Sequence, residues 1–258
     1  MANPRLNVDI ISRGQGRSVT KAANYITGEK LRDHYWGETH YRRRADVLHK
    51  EIFLPANEPP GFADLQTLCQ EIDKAEKRYD ARTAREYKGS LPNELPLNEL
   101  REIVREYVAD NFTRHGLCAI AAIHEGINKD NSAKNNPHVH IIVPTRTVEP
   151  EGFAKKKTRE FNKKKYVSIW RERWAEAHNR AYERNGLEIR VSHESYEVSG
   201  IDRDPTIHLS RMDWEREQHG EHTKHGDKKR DIEARNLERK KRLEREQNRG
   251  YGRDYRAE

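Results

Sequence analysis

Apolar residues recur along this chain with two periods, and the switches between them mark out its elements. Leu6 to Ile11 alternates apolar and polar positions, the period-2 pattern of a strand with one buried face. Arg13-Gly14-Gln15-Gly16-Arg17 reads as a turn, after which Ser18 or Thr20 can cap a short helix carrying Ala22, Ala23, Tyr25 and Ile26. Val47 to Leu54 predicts a second strand, closed by Pro55. Beyond Pro59-Pro60-Gly61, residues Leu65, Leu68, Cys69, Ile72 and Ala75 fall at helical spacing, and Arg85 to Leu91 is a weaker strand pattern. A second helical stripe, Leu100, Ile103, Val104, Tyr107, Val108 and Phe112, is stopped by Gly116 as the C′ residue. Two apolar runs of strand length follow, Leu117 to His124 and Asn136 to Val143, separated by the polar, Asn- and Lys-rich segment Glu125 to Pro137, which reads as a long hairpin loop. A helix built on Trp170 and Trp174 should end near Gly186, and Leu187 to Val191 predicts a last strand. The order predicts an α+β fold, a mainly antiparallel sheet flanked by helices.

Past about Asp202 the chain changes character. From Trp214 to Arg253 charged residues are dense, and Ile232, Leu237 and Leu243 are the large aliphatic residues present. That composition predicts a long solvated helix, a disordered tail or a helix ordered by a partner. The expected division is a domain over 1–201 and a charged helical or partly disordered extension over 202–258.

The candidate chemistry lies in the hairpin. On a strand, alternate side chains share a face, so His138 and His140 project together while Val139, Ile141 and Val143 point to the opposite layer. If the two apolar runs pair antiparallel, His124 ends one strand where His138 begins the next, and three imidazoles converge. Imidazole suits Zn, Mn, Co or Ni better than Mg. Three protein ligands leave coordination positions open, as a site for water or substrate requires and a closed structural site does not.

Composition then narrows the partners. Of the 258 residues, 36% are charged, with a net charge of +7 and a pI near 9.3, which favours a polyanionic partner. The excess is local, with eleven Lys or Arg against five Glu between Glu151 and Asn185. There Lys155-Lys156-Lys157 and Lys163-Lys164-Lys165 are interleaved with Phe153, Phe161, Tyr166, Trp170 and Trp174. Lysines of this kind can neutralise phosphates and free rings can stack on unpaired bases, but Trp170 and Trp174, four apart, fit a helix core stripe better. The two cysteines, Cys69 and Cys118, sit in apolar patterns and support neither a disulfide framework nor a Cys-based zinc site. With no membrane-length apolar stretch and no signal-peptide pattern, a cytoplasmic location is expected.

Several segments, in order, resemble the relaxase domain of the MobA/MobL family, the nickases that start conjugative transfer of plasmids. They are Gly16-Arg17-Ser18 with Ala22-Ala23-Asn24-Tyr25 and Gly28-Glu29-Lys30; Tyr41-Arg42-Arg43-Arg44 with Glu51-Ile52-Phe53-Leu54-Pro55; Ala84-Arg85-Glu86-Tyr87 with Leu91-Pro92; and Ile123-His124 with Asn136-Pro137-His138-Val139-His140, Thr145-Arg146 and Gly152-Phe153. The His-hydrophobic-His strand is the diagnostic element of the wider HUH endonuclease class. The resemblance implies a five-stranded antiparallel sheet and a divalent metal, Mn2+ or Mg2+ in function with other transition metals able to occupy the site, held by His124, His138 and His140. It also implies a tyrosine nucleophile, and Tyr25 is the residue at the motif position.

The resemblance further implies a reaction: cleavage of single-stranded DNA at an origin of transfer, with an adjacent hairpin, through a 5′-phosphotyrosyl bond that can be reversed. Accessory relaxosome and coupling proteins are the partners it suggests. A free phenol ionises near pH ~10, so the nucleophile needs local help to lose its proton. Arg13, Arg17, Arg42, Arg43, Arg44, Lys155, Lys156 and Lys157 are candidate DNA contacts. The sequence also departs from the family. Lys88 stands where a second acidic residue is common, leaving Glu86 as the acidic candidate. Gly89-Ser90 replaces small apolar residues, and the closing motif is shortened to Pro205-Thr206-Ile207-His208-Leu209-Ser210. Many relatives continue into helicase or primase regions, so the chain is expected to be a compact relaxase or a piece of a longer one. A replication initiator of the same class, or a non-enzymatic nucleic-acid-binding module with a structural metal, are the competing readings.

Overall fold

Five β-rich segments pair into one sheet: β1 (Leu6–Ser12), β4 (Val47–Phe53), β5 (Arg82–Ser90), β6 (Ala119–His124) and β7 (His138–Pro144). Their order is β1-β5-β7-β6-β4, and every neighbouring pair is antiparallel. Two short hairpins, β2 (Leu31–Asp33) with β3 (Glu38–His40) and β8 (Arg146–Glu149) with β9 (Gly152–Lys157), complete the strands. The structure, a computed structural model, describes residues 4–56, 58–127, 135–198, 200–207 and 209–254, with the backbone alone at 211 and 246–254. Residues 128–134 of the expected hairpin loop, and His208 of the closing motif, lie outside the described residues.

Strands β6 and β7 are buried on both faces, which is why their sequences read as continuous apolar runs. Val139, Ile141 and Val143 point into one core together with Tyr87, helix α3 (Leu97–Asn111) and helix α4 (Lys165–Arg184). Ile142 points the other way, into a second core with Ile11, Ala84, Ile120 and Ala122, roofed by helix α1 (Val19–Thr27) and helix α2 (Leu65–Lys74). The caps follow the sequence: the Ser18 hydroxyl accepts from Lys21 N–H at the start of α1, and Asp64 accepts from Thr67 N–H at the start of α2. Trp170 and Trp174 are core residues, 2% and 0% exposed. Phe161 and Tyr166 pack against them, and Phe153 stacks on Phe62 with ring centroids 5.1 Å apart. Of the aromatics interleaved with the lysines, the two tryptophans are therefore turned fully inward, and Phe153, Phe161 and Tyr166 are half-buried against the core.

One expectation is corrected. Leu187 to Val191 is no strand: Val191 N–H donates to Asn179 Oδ1 at 2.8 Å, and Asn179 Nδ2 donates back to the Val191 carbonyl at 2.9 Å. An asparagine on α4 thus takes the place of a strand neighbour. Lys155 to Lys157 form the end of β9.

The chain divides into two units, Met1–His193 and Glu194–Glu258. The second contains helix α5 (Arg211–Gln218) and helix α6 (Lys224–Asp254). Within it, the Asp204 carboxylate accepts from Arg235 at 3.0 Å and Arg239 at 2.8 Å, while Asp202 pairs with Arg242 at 2.9 Å. The arginine-rich pattern of α6 is partly explained by these anchors. Among the described residues, no helix is long and apolar enough to cross a membrane.

Gly89, in the segment that departs from the family pattern, faces the indole of Trp174. A Cβ at that position would lie 2.6 Å from Trp174 Cζ2, against a ring that is fully buried. Gly89→Ala is therefore expected to destabilise the protein by about 1–3 kcal/mol, the usual penalty for overpacking a core. Urea unfolding checks this, and an unchanged midpoint would contradict the packing argument.

Candidate active site

The pairing of β6 with β7 sets His124 directly opposite His138 and Ala122 opposite His140. All three imidazoles consequently stand on the face roofed by α1, at one end of the sheet. Their ring centroids are 5.0 to 5.4 Å apart, and one nitrogen from each lies within 4.8 Å of the others. His124 and His140 are buried, and His138 is half-buried.

Each ring is fixed by an acceptor outside the cluster, and the acceptors determine which nitrogen remains free. A carbonyl oxygen can only accept, so His124 Nε2–H donates to the Ile26 carbonyl at 2.7 Å, and His138 Nδ1–H donates to the Asn136 carbonyl at 2.8 Å. His140 Nδ1–H donates to Glu86 Oε1 at 3.0 Å. This leaves a lone pair on His124 Nδ1 and on Nε2 of His138 and His140. His124 Nδ1 is buried with no hydrogen-bond partner. An orphaned imidazole lone pair beside two others is what a divalent cation would satisfy, and second-sphere acceptors of this kind orient metal-binding histidines.

Electrostatics at His124 and His138 favour the neutral imidazole that ligates. Burial pushes His124 down to about 4, with the Ile26 hydrogen bond opposing and the charge of Arg44 adding to the shift. Burial lowers His138 in the same way. Glu86 is 4% exposed; burial alone would raise its carboxyl, but the His140 hydrogen bond and the charge of Lys88 hold it down at about 2. Its other oxygen accepts from Arg17 Nη2 at 2.7 Å, and Lys88 Nζ lies 3.5 Å away. Lys88, one of the departures from the family pattern, thus supplies a cation to the glutamate that orients His140.

Tyr25 is on the last turn of α1, one residue before the carbonyl that holds His124. Its ring centroid lies 6.1 Å from that of His140, edge to face, and its side chain is 39% exposed. The Arg42 and Arg44 guanidinium carbons lie 5.1 and 4.7 Å from the Tyr25 ring centroid. Arg44 also donates to the Tyr25 carbonyl at 3.1 Å and pairs with Asp46, whose carboxyl this holds down at about 2. Thus Tyr25, Glu86, Arg17, Arg42, Arg44 and the three histidines come together, while Arg43 is exposed nearby in sequence.

Other candidates go elsewhere. Arg13, expected as a DNA contact, is 3% exposed, and its guanidinium caps the end of α2, donating to the carbonyls of Asp73 and Glu76 at 2.7 and 2.5 Å and pairing with the Asp73 carboxylate. A cation is favourable at a helix C-terminus, and this one is no longer available to a phosphate. Lys155, Lys156 and Lys157 lie toward the opposite end of the sheet: Lys157 Nζ donates to the Arg82 carbonyl, and Ala84 pairs with Pro144, far along β7 from His138. Lys155 and Lys156 are exposed, whereas Lys157 is tied to Glu76 at 2.8 Å. Both cysteines are free and buried, with the Cys118 thiol pushed up to about 12 by burial.

The sequence reading missed the backbone carbonyls of Ile26 and Asn136, the Arg44–Asp46 pair and Gly126. Gly126 has φ +60°, and a Cβ there would strike the carbonyl of Asn136, the same oxygen that orients His138. Carbonyl roles leave no residue signature, but an isolated glycine just past a strand end was a readable signal.

The model of the MobA/MobL family matches residues 17–219. The chain is 31% identical over 237 residues to the mobilization protein MobL of Acidithiobacillus ferridurans, covering 81% of this chain and 62% of that protein. It is 29% identical over 240 residues to the conjugal transfer protein TraA of Agrobacterium fabrum, covering 81% of this chain and 21% of that protein. The chain thus spans about three fifths of the first relative and about a fifth of the second. A solved structure described as the molecular basis of vancomycin resistance transfer in Staphylococcus aureus superposes with a TM-score of 0.67 at 28% identity, over 76% of this chain and 100% of that one.

Two outcomes follow from the site's electrostatics. An imidazole ionises near ~6.5 when free, so as pH falls the unfolded chain takes up a proton at His124 before the folded one does. The stability that neutral His124 contributes is complete above ~6.5 and lost as pH falls through about 4. In chelator, the melting temperature should therefore decline across that window, and His124→Asn should flatten the decline; an equally steep profile in the variant would refute the assignment. Separately, Glu86→Gln should weaken divalent-metal binding by about 10–100-fold, the usual effect of losing a second-sphere carboxylate. Calorimetry with Mn2+ would read it, and equal affinities would remove Glu86 from the site.

Proposed function

Because the chain belongs to the MobA/MobL family, we propose that it is a conjugative relaxase, a metal-assisted nickase and strand transferase acting on single-stranded DNA at an origin of transfer, with Tyr25 as its nucleophile. The observation that carries this reading is the convergence of a three-histidine cluster with an exposed tyrosine ring 6.1 Å from His140.

His124, His138 and His140 would hold the divalent ion, Mn2+ or Mg2+ in function, whose charge when bound offsets the negative charge growing on the non-bridging phosphate oxygens. The chain's own residues do the rest. The Tyr25 oxygen attacks phosphorus in line, forming a tyrosyl O–P bond as the P–O3′ bond breaks. The phenolic proton is lost and the departing O3′ gains one, so the products are a free 3′-hydroxyl and a 5′-phosphate esterified to Tyr25. One phosphodiester replaces another, and a returning 3′-hydroxyl can run the step backwards without a nucleotide cofactor. Arg42 and Arg44, already beside the Tyr25 ring, supply cationic charge to the incoming phosphate. Arg17 and Lys88 keep Glu86 ionised, and Glu86 in turn holds His140 with Nε2 free. Accessory and coupling proteins of a relaxosome, and a cytoplasmic site of action, belong to the same proposal.

The test is a labelled single strand carrying the cognate transfer origin, incubated with Mn2+ and run on a denaturing gel. A protein–DNA adduct is expected with the natural chain and none with Tyr25→Phe, while binding of uncleaved strand stays the same. An adduct that persists in Tyr25→Phe, or maps to Tyr35 or Tyr41, would overturn the assignment.

A further inference from the structure

In the segment Ala84-Arg85-Glu86-Tyr87, Glu86 points to the histidine face, but Arg85 points to the opposite one and has no part in the reaction above. Its side chain is 2% exposed. Nη2 donates to Asn162 Oδ1 at 2.6 Å and the guanidinium carbon lies 6.0 Å from the Phe161 ring centroid, whereas Nη1 is buried without a hydrogen-bond partner. No carboxylate among the described residues pairs with it. A buried cation without a counter-charge is strongly unfavourable. Burial accordingly pushes the Arg85 guanidinium below its ordinary range, Tyr87 opposes this, and the charge of Arg82 adds to the fall. An arginine nevertheless stays protonated near neutral pH, so the imbalance remains.

The surroundings make the imbalance larger. Arg85 lines a cavity of about 180 Å³ together with four further charged residues, Arg78, Asp80, Arg82 and Lys157, and with Asn162. At about 30 Å³ per water, that is room for a phosphate-sized group with some of its hydration. The acids at this cavity are already paired: Asp80, in its lining, holds Arg78 of the same lining at 2.8 Å, and Glu76 is shared by Arg146 and Lys157 at 2.8 Å each, which leaves Arg82 and Arg85 as the cations of the lining without a carboxylate among the described residues. The Arg82 guanidinium has no hydrogen-bond or ion-pair partner among the described residues. From the unpaired Nη1 of Arg85, the unpaired Arg82 and the cavity they share, we infer a second anion site, distinct from the histidine cluster, that binds a phosphate group. Arginine forks match the tetrahedral oxygens of phosphate, and the exposed Lys155 and Lys156 on the same strand as Lys157 extend the positive surface outward. The phosphate can come from a DNA backbone or from free phosphate. The inference does not depend on strand cleavage by Tyr25.

The full chain is melted in chelator, with inorganic phosphate or with chloride at matched ionic strength. At about ten times its dissociation constant, phosphate should raise the midpoint of the natural chain by about 3 °C. Arg85→Met should melt higher than the natural chain in chloride, because an uncompensated buried charge has gone, and should lose the phosphate shift. Arg82→Ala, an exposed change, should leave the chloride midpoint alone and at least halve the phosphate shift, which keeps the test decisive if Arg85→Met does not fold. Tyr25→Phe should keep the whole shift, separating this site from the proposed nucleophile. Equal phosphate shifts in the natural chain and Arg82→Ala would overturn the inference. To identify the source, the salt dependence of oligonucleotide binding is compared by anisotropy. A slope lower by about 0.7 for a single strand, or about 0.9 for a duplex, in Arg82→Ala marks a DNA phosphate. An unchanged slope with a lost phosphate shift marks free phosphate.

Discussion

The antiparallel register that seats His124 opposite His138 is the constraint on which the site depends. A slip of one residue would turn the imidazoles of β7 to the other face, into the apolar layer of α3 and α4, and would bring Val139 and Ile141 under α1. The two cores make that slip costly, because each face of β7 is matched to its own helix pair. The apolar residues of β6 and β7 therefore fix the positions of three polar ones. Once the register is set, the Ile26 carbonyl on α1 reaches His124, Glu86 on β5 reaches His140, and Tyr25 is carried to the edge of the cluster.

Polar groups at the end of a sheet buried on both faces are unfavourable unless each has a partner, and nearly every one here does. Within the cluster, His124 Nδ1 is buried without one, where a cation would complete it. Glu86 stands at the centre of a charge network of Arg17, Lys88 and His140. The network stabilises the ionised carboxylate against burial and fixes the tautomer of His140. Positioning of a ligand and neutralisation of a buried acid are thus the same set of hydrogen bonds.

The basic residues of this chain have several different fates, which net charge does not distinguish. Arg13 caps a helix, Lys157 and Arg146 neutralise Glu76, and Arg42 and Arg44 lie over the Tyr25 ring. Arg85 is buried without a counter-charge. A cation that already has a carboxylate or a row of carbonyls gains little by leaving it for a phosphate, so availability is decided by the neighbours and not by residue type.

Much of this was legible in the sequence because periodicity is a local property of the chain. The strands over Leu6–Ser12, Val47–Phe53 and His138–Pro144, the stripes of α2 and α3 and the shared face of His138 and His140 follow from spacing, which leaves the cap of α1 open between Ser18 and Thr20. Even the recruitment of His124 needed only the assumption that adjacent apolar runs pair. What spacing could not supply was anything set by residues distant in the chain. Leu187 to Val191 has strand composition but meets an asparagine side chain where a strand would have to be. Arg13 reads as a surface cation, yet the end of α2, some sixty residues later, arrives to take it. The free nitrogens of His124 and His140 depend on a carbonyl and a carboxylate from two other segments, the end of α1 and β5. Sequence determines which faces are apolar and therefore how the sheet is layered; tertiary contact decides the protonation, pairing and exposure of each polar group, because those depend on the neighbours that folding brings within hydrogen-bond range.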